Sequence, residues 1–233
     1  MRPPLLPRPE NLAAAGKMQR DLAERVVLEG DLSGVKTLAA LDASIKQGEA
    51  LVGVAVLWEV ATEQVLEVGA ATVDATEVFP YVSGFLSFRE APVYLAALAQ
   101  LSTEPDLLLV DGQGVAHPRG LGIAAHLGVH LDIASIGVAK SRLYGKEAGV
   151  LDEEAGRAVP LVSKGAQIGW VYRSRTGVKP LYLSPGHRVG MAETLSFVQS
   201  LPGKTKLPEP LKRAHDWAGK ARKEGLTGRL ELS

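Results

Sequence analysis

The 233-residue chain predicts an α/β fold: a mixed central sheet, an antiparallel three-strand meander continued by parallel strands, flanked by helices. Three observations carry that prediction. Three β-rich runs, 35–41, 51–58 and 65–73, follow one another across short polar links, and strands joined so briefly pair antiparallel. From residue 90 onward, helical and strand-like segments alternate, which sets further strands side by side with helices on the sheet faces. Hydrophobic residues make up 46% of the chain, enough for one sizeable core. The whole of 1–233 is therefore read as a single domain.

Each element has its own local reason. Residues 11–29 read as a helix, because Leu12, Ala15, Met18, Leu22 and Val26 recur at three- and four-residue steps and Gly30 supplies a stop. The first strand runs into Asp42. Residues 80–89 form an irregular link that carries aromatics. Residues 90–100 read as a helix with Leu95, Leu98 and Ala99 on one face. Leu107–Val110 is a short apolar run bounded by turn residues, the mark of a buried strand. A helix over 119–129 and a strand over 133–139 follow. Short strands are expected at 160–163, 167–172 and 181–183, and helices at 191–199 and 210–223 close the chain.

Composition narrows the function classes. The chain has no cysteine, which excludes disulfides and thiolate metal sites. No apolar run is long enough to span a bilayer, and the proline-rich segment 1–11 lacks a signal-peptide core. A cytoplasmic monomer is the expectation. Net charge is zero, but residues 1–160 hold 13 Lys/Arg against 21 Asp/Glu, whereas 161–233 hold 13 against 5. Such asymmetry marks either a face for a polyanion or a solvated basic helix.

The chemistry-bearing positions cluster at element ends. Asp111 directly follows Leu107–Val110, and Gly112, Gly114, Gly120 and Gly122 crowd the loop behind it. Open α/β sheets place ligands beyond the carboxyl ends of their strands, and glycine lets main chain approach a ligand closely. With His117 and Arg119 in the same loop, this points to a site for a metal and for a phosphate or base. Asp42 ends the first strand, and Glu90 stands at a loop-to-helix junction. If the first and fourth strands are neighbours, Asp42 and Asp111 converge at one end of the sheet. Carboxylate oxygens suit hard ions such as Mg²⁺ or Mn²⁺. Phosphodiester cleavage uses such ions to neutralise phosphate charge and acidify water. Each acid alone also reads as a turn residue or helix N-cap; three together are less easily explained so.

Lys140 ends the strand over 133–139 and can face the same edge, although alone it is an exposed turn lysine. His117 can donate to a phosphate or base edge, or is a polar surface group. Tyr81, Phe85 and Phe88 precede Glu90 in a turn-rich loop. Aromatics there stack on bases or wedge between them; alternatively Phe85 and Phe88 pack beneath the loop as core. His126, His130, His187 and His215 receive no role from spacing alone.

Four segments carry a resemblance. They are Pro80-Tyr81-Val82-Ser83-Gly84-Phe85-Leu86-Ser87-Phe88-Arg89-Glu90, Asp111-Gly112-Gln113-Gly114-Val115-Ala116-His117-Pro118-Arg119, Ile136-Gly137-Val138-Ala139-Lys140-Ser141-Arg142-Leu143 and Ser184-Pro185-Gly186-His187-Arg188. In order and spacing they resemble endonuclease V, the deoxyinosine-directed repair nucleases of the RNase H-like superfamily. The likeness runs from about Leu12 to His215.

The resemblance implies an RNase H-like sheet and an active site of Asp42, Glu90 and Asp111, with Asp42 and Asp111 as the main Mg²⁺ ligands and Mn²⁺ as a substitute. It implies that Lys140 lies by the scissile phosphate and that His215 is a further active-site position. Pro80, Tyr81, Val82 and Ser83 become a wedge, Tyr81 filling the gap that an extruded base leaves. Hypoxanthine enters a largely main-chain pocket of Gly84, Leu86, Gly112, His117, Gly122 and Ile123. The implied reaction cuts DNA containing deoxyinosine at the second phosphodiester bond 3′ to the lesion, leaving 3′-hydroxyl and 5′-phosphate ends. The competing readings are a nuclease for inosine in RNA, mismatches or flaps, and a non-catalytic lesion-binding protein. Two positions depart from the family pattern. Ser83 stands where the wedge usually ends in proline, which implies a less rigid loop. Gln113 stands where bacterial members usually have histidine, and it keeps a hydrogen-bonding side chain.

Overall fold

The computed structural model describes residues 3–4, 6–45 and 50–232. Strands β1 (Thr37–Ser44), β2 (Leu51–Glu59) and β3 (Gln64–Val73) form the expected antiparallel meander. The chain then crosses one face as helix α2 (Leu86–Leu98) and returns as β4 (Leu107–Val110), parallel to β1. Helix α3 (Ile123–Leu131) makes the same crossing, and β5 (Ala134–Ala139) lies parallel to β4. Leu41, Val110 and Gly137 consequently stand abreast on three neighbouring strands. The conditional expectation about the first and fourth strands is met.

Beyond β5 the sheet turns antiparallel through β9 (Leu181–His187), β8 (Ala166–Tyr172), β7 (Ala158–Ser163) and β6 (Lys146–Glu147). On the opposite edge, β10 (Gly228–Leu230) pairs with β3. Alternation along the strands divides the core. Leu38, Ala40, Leu107 and Leu109 pack with residues of α4 (Met191–Ser200) and α5 (Glu209–Glu224). Ala39, Leu41, Leu108 and Val110 pack with α2 and α3. Among the described residues, no helix is long and apolar enough to cross a membrane.

Several element ends differ from expectation, each for a local reason. Helix α1 spans Leu12–Ala23, with the Asn11 side chain capping the Ala14 N–H, and does not continue to residue 29. Its last turn tightens, Arg25 N–H bonding Leu22 O and Val26 N–H bonding Ala23 O; the next amide, Val27 N–H, goes to His187 Nδ1 at 3.2 Å. Helix α2 begins at Leu86, so Glu90 lies inside it and not at its start. Pro92 sits in the interior of α2, although proline favours a helix's first turn. Helix α3 starts at Ile123, since 119–122 belongs to the glycine-rich loop, with Gly120 at φ +70°. The short edge strands β6 and β10 carry no readable periodicity.

Candidate active site

The parallel pairing of β1 and β4 builds the centre of the site. Asp111 N–H donates to Leu41 O at 3.0 Å, extending the ladder one step past Val110. Asp42 does not end the first strand as expected, because β1 runs on to Ser44 with Asp42 opposite Val54 of β2; it stands beside Asp111, both in step with Ala40 and Leu109 on the α5 face. Asp42 is buried. Its Oδ1 accepts from Ala43 N–H at 2.8 Å, and its Oδ2 pairs with Nδ1 of His215, on α5, at 2.7 Å. Lys140, one residue past β5, places its ammonium against Oδ2 of Asp111. Glu90 arrives from α2 on the other face.

Five residues expected to act together, Asp42, Glu90, Asp111, Lys140 and His215, thus meet at one sheet end. Their electrostatics is strained. Burial first, and then the carboxylates of Asp111 and Asp42, push Glu90 from 4.5 up to about 7. Burial and the Asp42 carboxylate raise Asp111 to about 6, against the pull of Lys140. Burial acts to lower Lys140, but Asp111 outweighs it and holds the ammonium above its usual pKa. Tyr94, one turn beyond Glu90, is fully buried; that burial and the same three acids drive its phenol well above 10. The four-residue step from Glu90 was the only sequence signal for Tyr94.

The donor chemistry fits a hard divalent cation: clustered carboxylate oxygens that repel one another, on adjacent rigid strand ends. Among the described residues, no three His, Asp or Glu side chains are already arranged around a metal position. The Lys140 ammonium and the His215 ring hold the places beside Asp111 and Asp42.

Next to the acids lies a cavity of about 340 Å³. Its lining includes Ser83, Gly84, Leu86, Gly112, His117, Gly122 and Ile123, together with Glu90, Asp111 and Lys140. Every position expected to form the base pocket is there, and the pocket opens onto the acids. Of the wedge, only Ser83 lines this cavity. Pro80 and Val82 line a shallow groove beside α1, and Tyr81 projects outward, 72% exposed.

Of the two readings of His117, the polar surface group is excluded, since the residue is buried, and both of its ring nitrogens already have backbone partners. Its Nδ1 accepts from Arg119 N–H at 3.2 Å, so Nε2 carries the proton and donates to Gly84 O at 3.1 Å. Burial, then the Arg119 charge, lowers His117 to about 4 and keeps it neutral. Phe88 is buried against Phe79, and Phe85 packs beside them; these rings are core, and Tyr81 alone of the three aromatics faces outward. Gln19 and Ser184 received no role from the sequence, and Gln113, expected to keep a hydrogen-bonding side chain, has a partner here. Gln19 is fully buried and reaches the loop from α1. The Gln113 side chain donates to Ser141 O at 2.9 Å, tying the glycine loop to the turn after Lys140. Ser184 Oγ accepts from Gly114 N–H at 2.8 Å. His187 is structural, bridging Val27 N–H and Asp132.

Comparison with known proteins agrees with this geometry. A family model described as Endonuclease V matches residues 20–216. The chain belongs to the endonuclease V family. It is 58% identical to an endonuclease V of Thermus thermophilus, over 96% of this chain and 99% of that one. The crystal structure of endonuclease V from Streptomyces avermitilis superposes with a TM-score of 0.86 at 35% identity, covering 93% and 95% of the two chains. Endonuclease V of Ciona intestinalis, solved with a 24-mer DNA containing an inosine followed by a ribo-adenosine, gives 0.79 at 26% identity, covering 92% and 99%. The mixed sheet between helix layers is the RNase H-like arrangement that the resemblance implied.

Proposed function

We propose that this chain is a divalent-metal-dependent DNA repair endonuclease that recognises deoxyinosine and hydrolyses the second phosphodiester bond 3′ to it, leaving 3′-hydroxyl and 5′-phosphate ends. One observation carries the reading: Asp111, which stands beside Asp42 on the neighbouring strand, and Glu90 line a cavity whose wall includes Gly84, Gly112 and Gly122. Family membership and the inosine-containing DNA bound by the Ciona relative support it.

The cavity around Gly84, Leu86, Gly112, Gly122 and Ile123 takes the extruded hypoxanthine. Hypoxanthine lacks guanine's exocyclic amine, so close backbone walls reject guanine by shape while amides and carbonyls read N1–H and O6. Flipping costs a few kcal/mol and costs least for a poorly paired base. Tyr81, outward and exposed, fills the vacated stack with Pro80, Val82 and Ser83 as its frame.

Asp42 and Asp111, with Glu90, would hold Mg²⁺, with Mn²⁺ as substitute; once bound, the ion supplies positive charge against the phosphate and acidifies the attacking water. His215 keeps Asp42 aimed through its 2.7 Å contact. Lys140 turns from Asp111 toward a phosphate oxygen, where its cation offsets charge building in the transition state. Because base and acids occupy adjoining places, recognition and hydrolysis fall on different nucleotides of one strand.

A labelled duplex bearing one deoxyinosine, incubated with Mg²⁺ or with EDTA, tests the proposal. A Mg²⁺-dependent nick two bonds 3′ of the lesion supports it. No nick, or equal nicking of an inosine-free duplex, refutes it. Competition with inosine-containing RNA ranks the two substrates.

A further inference from the structure

The carbonyl oxygen of Gly84 receives three donors from two parts of the chain, helix α1 and the glycine-rich loop: Gln19 Nε2 at 3.0 Å, Arg119 Nη2 at 2.6 Å and His117 Nε2 at 3.1 Å. Gln19 acts twice, because its Oε1 also accepts from Arg119 Nε. The Arg119 guanidinium in turn lies 4.1 Å over the Phe85 ring. The same peptide is held at its other end, where Phe85 N–H donates to Val82 O at 2.9 Å. Val82–Phe85 is thus a turn with Gly84 at the third position and φ +79°, the value a type II turn requires there. Proline is favoured at the second position of such a turn, because it presets φ. Here that position is Ser83, which presets nothing.

We propose that Gln19 and Arg119 are positioning residues: they clamp the Gly84 carbonyl and so give the 80–84 loop the rigidity that its own sequence lacks, ready to take up an extruded base. The inference rests on the inosine-cleaving function proposed above. It makes helix α1, which carries none of the acids, part of base recognition. A loose loop must be ordered anew at each binding event, so the clamp acts on capture of the base and not on the chemistry that follows.

The test compares Gln19→Leu, Gln19→Glu and Gln19→Leu combined with Ser83→Pro against the wild-type chain. Gln19→Glu keeps a partner for Arg119 and removes the amide donor that serves Gly84 O and, at 3.5 Å, Leu121 O, so it stays informative if Gln19→Leu folds poorly. For both single variants, kcat/KM on duplex deoxyinosine DNA falls about five- to tenfold, the worth of one or two hydrogen bonds. The change sits in KM, kcat stays within about twofold, and single-stranded deoxyinosine DNA is affected less. Adding Ser83→Pro restores most of the loss, which a general loss of stability would not predict. Amide exchange at Phe85, read without substrate, quickens in both single variants. Wild-type kinetics in both single variants, a loss confined to kcat, or no rescue by Ser83→Pro overturns the proposal. If the wild-type chain leaves inosine DNA uncut, the function itself fails, and exchange at Phe85 still decides the clamp: unchanged exchange overturns it.

Discussion

Replacing Glu90 by glutamine should stabilise the metal-free protein, and only at neutral to alkaline pH. Burial, Asp111 and Asp42 move the Glu90 carboxyl from 4.5 to about 7 in the folded chain. The sign follows from proton uptake. A carboxyl whose folded pKa lies above its unfolded value binds protons more tightly when folded, so the fold loses stability as pH rises from about 4.5 to about 7. Below that window Glu90 is neutral in both states and costs nothing. Above it the full penalty is present. At about 1.36 kcal/mol per pH unit, the interval corresponds to at most about 3 kcal/mol. For a chain of this length, that is an increase of roughly 6–12 °C in Tm for Glu90→Gln at pH 8. Thermal unfolding followed by circular dichroism in EDTA, at pH 4.5 and pH 8, measures it. Glu90→Gln should gain stability at pH 8 and nearly none at pH 4.5. Adding Mg²⁺ should shrink the gap at pH 8, because the ion stabilises the chain that retains all three acids. A gain of equal size at both pH values would refute the reasoning, and so would a loss at pH 8.

Other perturbations test neighbouring parts of the account. Asp42→Asn or Asp111→Asn should slow single-turnover cleavage by about a hundredfold or more, while fluorescence anisotropy still registers binding to inosine DNA; normal turnover in either variant removes the metal-site argument. Because Glu90 titrates at about 7 and Asp111 at about 6, protons compete with the cation, and calorimetric Mg²⁺ affinity should fall about tenfold per pH unit as pH drops from 7 to 6. An affinity that rises on acidification contradicts this. Gly122→Ala would drive a Cβ into Gln113 O and to within 2.6 Å of Gly114 O; the loop must shift, so KM for inosine DNA rises and stability falls by about 1–3 kcal/mol. Tyr81→Ala removes an exposed ring, so Tm should not change, whereas cleavage of duplex substrate drops by about tenfold, the worth of one stacked base, and cleavage of single strands drops less.

Much of the site was legible because two of its acids directly follow apolar runs. Asp42 and Asp111 each follow an apolar run that could only be a buried strand, and the short links of the meander left β1 free on one side for β4. The register of that pairing, Leu41 beside Val110, then fixed the two carboxylates with no freedom left. Glycine spacing after Asp111 likewise announced a main-chain pocket. What was hidden depends on contacts between distant segments. Nothing local to Gln19 distinguishes it from any polar residue of a helix; its burial follows from how α1 packs against the loop at Gly84. His117 stayed open between a ligand donor and a surface group because its partners, Arg119 N–H and Gly84 O, are backbone groups that a sequence pattern cannot display. Helix α2 starts at Leu86, four residues before the expected start, which puts Glu90 inside it. Phe85 and Phe88 were ambiguous by composition, and only packing against Phe79 decides for the core.

The most direct measurement is anomalous diffraction from a crystal of the chain grown with an uncut inosine oligonucleotide and Mn²⁺. A manganese peak between the side chains of residues 42 and 111, with hypoxanthine lodged beside Gly84 and Gly112, is what the account predicts. A peak bound elsewhere, or a base lodged away from the glycine-walled cavity, would contradict it.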